Sequence, residues 1–155
     1  MSESSHLYER ALRLLARRPH SRLELRRKLQ GGAQQVADVL NRLRDDGYLD
    51  DWKFAAGLAQ ERRRKHWSDR AILLDLKRRG ISDAIVRRTL ADLECETAEA
   101  EALQAWIALR VGRRGPPKTP AQLKKLYDAC VRRGFPGAAA RRELAPYFRN
   151  LNWRE

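Results

Sequence analysis

Residues 67–90 read Trp67-Ser-Asp-Arg-Ala-Ile-Leu-Leu-Asp-Leu-Lys-Arg-Arg-Gly-Ile-Ser-Asp-Ala-Ile-Val-Arg-Arg-Thr-Leu90, and this stretch decides the fold. It predicts two helices joined by a tight turn. Ser68 is placed to cap the first helix, because its hydroxyl can accept a hydrogen bond from an unpaired amide of the first turn. Ile72 and Leu76 recur at helical spacing on one apolar face. Gly80 stands where a helix ends in the left-handed conformation that glycine adopts without strain.

The same pattern returns on both sides of this stretch. Ser21 lies 47 residues before Ser68, at the start of a similar apolar pattern. The string Arg78-Arg79-Gly80-Ile81 returns 54 residues later as Arg132-Arg133-Gly134-Phe135. A period near 50 residues is typical of a tandem repeat protein. Chance matches at helical spacing explain the apolar positions of any helical protein, but they explain a repeated Arg-Arg-Gly string poorly.

The rest of the chain continues the helical period, and the period-2 alternation typical of strands is absent. We therefore predict an all-α fold of about nine helices in three tandem three-helix repeats of helix-turn-helix-like form. The predicted domains are residues 1–50, 51–93 and 94–155. The third contains a basic loop at 112–119, because Gly115-Pro116-Pro117 interrupts the helical pattern there.

The composition predicts a soluble intracellular protein. No apolar run approaches the ~20 residues that cross a membrane, and the N-terminus lacks the charged-then-apolar pattern of a secretory signal. Cys95 and Cys130 lie far apart in sequence, without the spacing of a disulfide framework or a zinc site. We therefore expect a cytoplasmic protein that has no membrane partner.

The sequence offers little that catalysis could use. His6, His20 and His66 have no catalytic or metal-ligand spacing to one another or to a carboxylate. The glycines form no phosphate-binding loop. Acidic pairs such as Asp50-Asp51 are interpreted as helix caps rather than as ligands of a nuclease metal. We predict that the protein is not an enzyme and has no catalytic residue, metal site or cofactor.

The positive charge is concentrated in the last third of the chain. The net charge is +13, and residues 101–155 hold 12 basic and 4 acidic side chains. Such a region is the strongest electrostatic candidate for contact with a polyanion or an acidic protein face.

The first repeat carries a more specific pattern. Ser21-Arg-Leu-Glu-Leu-Arg-Arg-Lys-Leu29, then a helix, then Gly47-Tyr-Leu-Asp-Asp-Trp-Lys-Phe-Ala55, resembles the RecX family of recombinase regulators. The resemblance is strong over residues 7–93 and looser to 148. The chain departs from the family at Trp67-Ser68, where a glycine is frequent. It also departs in the third repeat, which begins at Thr119-Pro120 after a longer basic loop.

The resemblance implies a non-enzymatic regulator of the RecA recombinase. Proteins of this family are elongated, curved arrays of three-helix repeats that lie in the groove of the RecA–single-stranded-DNA filament. They generally suppress its ATPase, strand-exchange and co-protease activities. On this interpretation the protein is a monomer, and its binding to single-stranded DNA alone is weak and salt-dependent.

The basic clusters are the predicted contacts with the recombinase, the DNA backbone, or both. A charged residue opposite an apolar stripe commonly faces only solvent, and Arg78 and Arg132 have the best case because they recur. The predicted partner-binding and DNA-binding residues are Arg62, Arg63, Arg64, Lys65, Arg78, Arg79, Arg113, Arg114, Lys118, Lys124, Lys125, Arg132 and Arg133.

Two other functions fit the pattern. Residues 68–90 match the outline of a helix-turn-helix DNA-binding transcriptional regulator. Its second helix, predicted over 82–92, offers Asp83, Arg87, Arg88 and Thr89 but no Asn or Gln, so phosphate contact is better supported than base reading. The charge alone also permits a nonspecific DNA-binding protein.

Overall fold

The computed structural model describes residues 2–151 of the 155-residue chain. Within that part the chain forms nine α-helices and no strand, which confirms the predicted all-α repeat fold. The helices are α1 (Glu3–Arg17), α2 (Arg22–Lys28), α3 (Ala33–Asp45), α4 (Asp51–Arg64), α5 (Asp69–Arg78), α6 (Asp83–Glu96), α7 (Glu99–Arg114), α8 (Pro120–Arg132) and α9 (Gly137–Asn150). Among the described residues, no helix combines the length and the apolar character that crossing a bilayer requires.

The described residues pack as two compact units. The first unit combines the chain up to Leu58 with Asp75–Thr89, and the second combines Ala59–Leu74 with the chain from Leu90 onward. The division falls inside α4, α5 and α6, so each of these helices contributes residues to both units. The division into three predicted domains stays a prediction.

Helices α1, α2 and α3 bury one apolar cluster in the first unit. Spacings of three and four residues place the members from α1 and from α3 on one face of each helix, and Leu29 and Leu49 join the cluster from the segments that follow α2 and α3. Each fully buried leucine stabilises the folded chain by about 1.5–3 kcal/mol. The members are Leu7, Ala11, Leu25, Leu29, Val36, Val39, Leu40, Leu43 and Leu49.

The second unit has its own cluster, built by α7, α8 and α9. Trp106 is buried in it and lies 6.5 Å from Phe135 between ring centroids. The thiol of Cys130 is enclosed there, and burial raises its pKa to about 11. The members are Ala102, Leu103, Trp106, Ile107, Leu123, Ala129, Cys130, Phe135, Ala140 and Leu144.

The helix starts follow from the polar residues that precede them. The predicted capping box of α2 is present: the Glu24 amide donates to Ser21 Oγ at 3.1 Å, and the Ser21 amide donates to the Glu24 carboxylate at 3.3 Å. Asp50 caps α4, because its Oδ1 accepts from the Trp52 amide at 2.9 Å and from the Lys53 amide at 3.1 Å. Thr119 caps α8, and Pro120 takes the first helical position, where no amide hydrogen is needed.

Helix α7 is longer at its C-terminal end than the sequence predicts. It continues through Arg114, so the predicted basic loop at 112–119 is reduced to residues 115–119. Arginine is a good helix former, and two cations in the last turn are favourable at the negative end of the helix dipole. Gly112 has open space around it and does not break the helix. The helix ends at Gly115, whose φ is +78°.

Two buried serine hydroxyls connect distant parts of the chain within each unit. Ser21 donates its hydroxyl hydrogen to the Arg79 carbonyl at 2.6 Å, in addition to its capping role. Ser68 accepts from the Ala71 amide at 3.2 Å and donates to the Arg133 carbonyl at 2.8 Å. Both serines are fully buried. One hydroxyl therefore satisfies an amide of its own helix and a carbonyl at the end of another helix.

The glycine that follows each of these carbonyls leaves room for the approach. Gly80 has φ +78° and Gly134 has φ +94°. A Cβ atom at Gly80 would lie 2.5 Å from the Cβ of Leu23, and one at Gly134 would lie 2.6 Å from Ser68 Oγ. Both the backbone conformation and the close contact therefore require glycine. The repeated Arg-Arg-Gly string marks the place where a capping serine docks.

The residue after each serine makes a second recurring bond. The Arg22 amide donates to Asp51 Oδ1 at 2.8 Å, and the Asp69 amide donates to Glu99 Oε1 at 2.9 Å. Asp51 begins α4 and Glu99 begins α7. Each acidic side chain therefore satisfies an otherwise unpaired amide in the first turn of α2 or α5.

We predict that Ser68→Ala destabilises the protein much more than Ser82→Ala. Ser82 is exposed and only accepts a capping bond, from the Ile85 amide at 3.4 Å. Losing a cap costs about 1 kcal/mol, and an unsatisfied buried carbonyl costs about 1–3 kcal/mol more. Urea unfolding followed by circular dichroism should give a free energy of unfolding about 2–4 kcal/mol below that of wild type for Ser68→Ala, and about 1 kcal/mol below it for Ser82→Ala. Equal midpoints for the two variants would contradict the docking role of Ser68.

Candidate functional site

The predicted cationic residues differ in what holds their side chains. Arg63 is buried, and its guanidinium donates to the Trp67 carbonyl at 2.9 Å and pairs with the Asp69 carboxylate. Glu94 lies 3.8 Å from the same group. A guanidinium that is enclosed and paired in this way supports the fold and presents no charge to a partner. We therefore leave Arg63 out of the candidate surface.

Arg79 also has a structural role. Its guanidinium pairs with Glu24 at 2.7 Å and with Asp75 at 3.0 Å, and both carboxylates are largely buried. Burial disfavours the charged guanidinium, but the bonds to the two carboxylates outweigh that effect and raise the pKa of Arg79. The side chain fixes the turn whose carbonyl receives the Ser21 hydroxyl.

Arg133 is the corresponding residue of the second unit. Its guanidinium donates to the Lys65 carbonyl at 3.0 Å and to the His66 carbonyl at 3.3 Å. It also lies 5.5 Å from the centre of the Trp106 ring. Burial, with the nearby charge of Arg110, lowers the pKa of Arg133. Like Arg79, it holds a turn in place.

Three other predicted residues have partners of their own: Lys65 and Lys124 are exposed, and Arg62 is half-buried. Lys65 pairs with Glu61 at 2.8 Å, and Lys124 pairs with Asp128 at 3.2 Å. The guanidinium of Arg62 lies 4.8 Å from the centre of the Trp67 ring. Exposed ion pairs of this kind contribute little to stability, but each one neutralises the charge that a partner would meet.

Four cations in the second unit surround one concave surface, which we call the basic groove. It has a volume of about 400 Å³ and lies between the end of α7 and the start of α8. Val111, Leu126 and the two prolines of the connecting loop supply its apolar part. Among residues 2–151, no acidic side chain lines it. Its cations are Arg110, Arg114, Lys118 and Lys125.

The groove is positioned by the short connection between its two helices. Gly115 turns the chain with a positive φ, and Pro116 and Pro117 restrict the backbone that follows. The Lys118 amide then donates to the Gln122 side chain at 2.8 Å. These constraints hold Lys118 opposite the last turn of α7.

Three of the four cations of this groove were predicted from the sequence. Arg114, Lys118 and Lys125 belong to the predicted set, whereas Arg110 was not predicted. Its spacing of four residues from Arg114 places both on one face of a helix, and that signal could have identified it. Arg113 does not line the groove. The exposed Arg64, Arg78 and Arg132 lie elsewhere on the surface.

The charges of the basic groove are uncompensated. Among residues 2–151, none of its four cations forms an ion pair with a carboxylate within 4 Å. Cations in a concave surface with low-dielectric walls reinforce one another and concentrate anions. The groove can therefore receive a phosphate or a carboxylate, with Arg110 and Arg114 able to make two parallel bonds to one such group.

The fold and this groove define an all-α protein of three-helix units that carries a concave basic surface. The sequence matches models of the first and second RecX three-helix domains over residues 8–43 and 50–90. It is 37% identical over 138 residues to the regulatory protein RecX of Xanthomonas axonopodis pv. citri (strain 306), covering 86% of this chain and 82% of that protein. A regulatory protein RecX of Stenotrophomonas maltophilia (strain K279a) is 32% identical with the same coverage. The chain belongs to the RecX family.

Solved structures have the same fold. The crystal structure of RecX from Lactobacillus salivarius matches with a TM-score of 0.78 at 19% identity, covering 94% of this chain and 96% of that one. A second crystal structure of a regulatory protein RecX matches with a TM-score of 0.75 at 20% identity, covering 88% of this chain and 68% of that one. The family is named for a regulatory role and not for a catalytic one.

We predict that the contribution of Glu24 to stability depends on pH. Burial alone would raise its pKa, but hydrogen bonds from Arg18 and the Ser21 amide, with the charge of Arg79, lower the pKa below the ordinary 4.5. The contribution is therefore complete above about pH 4.5 and is lost as the pH falls through the lower folded-state value. Glu24→Gln keeps the shape but removes the charge, so it should cost about 1–3 kcal/mol at pH 7.

The measurement is urea unfolding of both proteins at pH 7, 5 and 3. The free-energy difference between wild type and Glu24→Gln should shrink toward pH 3. Glu9→Gln is the control, because Glu9 is exposed on α1 and makes no ion pair within 4 Å among the described residues. A difference that stays constant with pH would show that the charge of Glu24 is not what stabilises the turn.

Proposed function

We propose that this protein is a non-enzymatic regulator, mainly an inhibitor, of the RecA recombinase. It acts by binding along the RecA–single-stranded-DNA filament, and it suppresses ATPase, strand-exchange and co-protease activities. Its place of action is the cytoplasm, where such filaments assemble, and it acts as a monomer. The support comes from membership of the RecX family together with the uncompensated basic groove.

The single observation that carries the proposal is the separation of the cations into two kinds. Arg63, Arg79 and Arg133 are occupied by groups of the fold. Among residues 2–151, none of the four cations of the basic groove pairs with a carboxylate within 4 Å, although the Arg110 guanidinium lies 5.4 Å from the centre of the Trp106 ring. The four surround a surface that is open to an anion. A filament offers DNA phosphates and acidic protein side chains, and this groove suits either.

The strength of such binding depends on salt. Each phosphate that a cation neutralises releases a counterion, so affinity falls steeply as the salt concentration rises. A groove of this size covers only a few phosphates, so binding to single-stranded DNA alone is weak. A filament presents many equivalent positions, and several modest contacts made together raise affinity without one strong contact.

A helix-turn-helix transcriptional regulator has less support. Of the side chains expected to read bases from α6, Thr89 is buried and the Arg88 guanidinium lies 4.5 Å from the centre of the Trp52 ring. Asp83, Arg87 and Arg88 are exposed there. An exposed face with one acid and two arginines, one of them held over an aromatic ring, and with no Asn or Gln, offers little direct base recognition.

We predict that removing two charges from the basic groove weakens inhibition. In Arg114→Ala/Lys118→Ala, the concentration that halves the DNA-dependent ATPase rate of the cognate RecA should rise about tenfold, equivalent to about 1.4 kcal/mol. The salt dependence of filament binding should also become less steep. The thermal midpoint should change little, because both side chains are exposed.

The matched control is Lys65→Ala/Lys124→Ala. It removes the same net charge from exposed residues whose ammonium groups are already paired with Glu61 and Asp128. Inhibition by this variant should stay within about twofold of wild type. If both double variants lose inhibition equally, net charge and not the basic groove determines the activity.

A further inference from the structure

A second concave surface in the second unit has a different character. We call it the apolar groove, and it lies between α5 and the turn that joins α8 to α9. Ala71, Leu74, Val131 and Pro136 line it, with the buried Phe135 beneath. Its volume is about 760 Å³, which is large enough for several side chains of a bound segment.

Two large apolar side chains are exposed in this groove. Leu74 is 50% exposed and Val131 is 43% exposed. Single exposed apolar residues are normal on a protein surface and need no explanation. Two of them in one concavity, next to an exposed proline, form the kind of apolar patch that marks an interaction site.

Three arginines and two carboxylates line the apolar groove. Arg70 and Arg132 line it, are exposed, and make no ion pair within 4 Å among the described residues. Asp69 and Glu99 also line it, but Asp69 pairs with the buried Arg63 and Glu99 accepts the Asp69 amide at 2.9 Å. Arg133 is held by two backbone carbonyls. An incoming segment therefore meets two unpaired guanidinium groups.

We propose that the apolar groove binds a protein segment that presents apolar side chains flanked by carboxylates. The apolar side chains cover Leu74 and Val131, and the carboxylates pair with Arg70 and Arg132. This inference rests on the proposed function, since the segment then belongs to the recombinase of the filament. On this proposal the apolar groove contacts protein, whereas the basic groove binds anionic groups.

The surface favours this occupant over two others. A DNA strand would gain from the arginines but not from aliphatic side chains, and within the described part of the chain no exposed aromatic ring lines the groove for base stacking. A second copy of this chain would carry the same net charge of +13 toward the groove, and long-range repulsion opposes that approach.

The test measures binding to two probes: the cognate RecA filament assembled on single-stranded DNA, and the same DNA without RecA. Leu74→Gln should weaken filament binding at least about fivefold and leave DNA binding unchanged. Leu109→Gln is the matched control, because Leu109 is 48% exposed on α7 and lies outside the groove. It should bind both probes as wild type does.

A charge-reversed pair tests the carboxylate part of the proposal. Arg70→Glu/Arg132→Glu should lose more filament affinity than Arg142→Glu/Arg149→Glu, which makes the same change in net charge on α9. Thermal midpoints near that of wild type are expected for all variants, since the replaced side chains are exposed or half-exposed.

The other outcomes would overturn the inference in distinguishable ways. Groove variants that bind the filament like wild type would remove the apolar groove from the interface and leave the proposed function intact. A parallel loss of DNA binding would assign the groove to DNA, and a dimer that Leu74→Gln dissociates would assign it to a second copy. A wild-type protein that binds the filament no better than bare DNA would overturn this inference and the proposed function together.

Discussion

The structure depends on two buried serine hydroxyls, each of which makes two hydrogen bonds in opposite directions. Ser21 and Ser68 accept from an amide at the start of their own helix and donate to the carbonyl of Arg79 and Arg133, respectively. A buried carbonyl without a donor is costly, so these turns are stable only while the serines are docked. The glycine after each carbonyl is required because no Cβ atom fits there. The same serine hydroxyl therefore caps its own helix and holds that helix against a distant turn.

This constraint explains why so much positive charge is structural. The turn that receives each hydroxyl also carries an arginine, and the fold provides acceptors for it: two carboxylates for Arg79, and two carbonyls for Arg133. Arg63 has the same kind of role at the end of α4.

What remains for a partner is the smaller set of cations without such acceptors. Those of the basic groove lie where α7 and α8 are held together by a short, restricted loop, and those of the apolar groove flank exposed aliphatic side chains. The proposed regulator recognises an assembly of protein and DNA, and both surfaces would contribute to that recognition.

Much of the fold could be predicted from the sequence, because its determinants are local. The helical period, the capping box at Ser21 and the glycine at position 80 depend on neighbouring residues, and the structure has all three. The docking of Ser21 and Ser68 could not be predicted, since it joins residues 58 and 65 positions apart. The repeated Arg-Arg-Gly string was recognised, and its arginines were predicted as partner contacts. In the structure, the second arginine of each copy is held by carboxylates or carbonyls of the fold. Burial of Arg63 was missed because a run of four cations normally indicates a solvated helix end. Arg110 was missed because the groove forms only where the end of α7 and the start of α8 meet around the connecting loop.

The central claim is that this protein acts on the recombinase filament and not merely on anions in general. The most direct measurement is the single-stranded-DNA-dependent ATPase rate of the cognate RecA, titrated in parallel with this protein and with an unrelated basic protein of matched size and net charge. The account predicts inhibition by this protein at well below one molecule per RecA, and no inhibition by the matched protein over the same range. Absence of inhibition, or equal inhibition by both proteins, would contradict it.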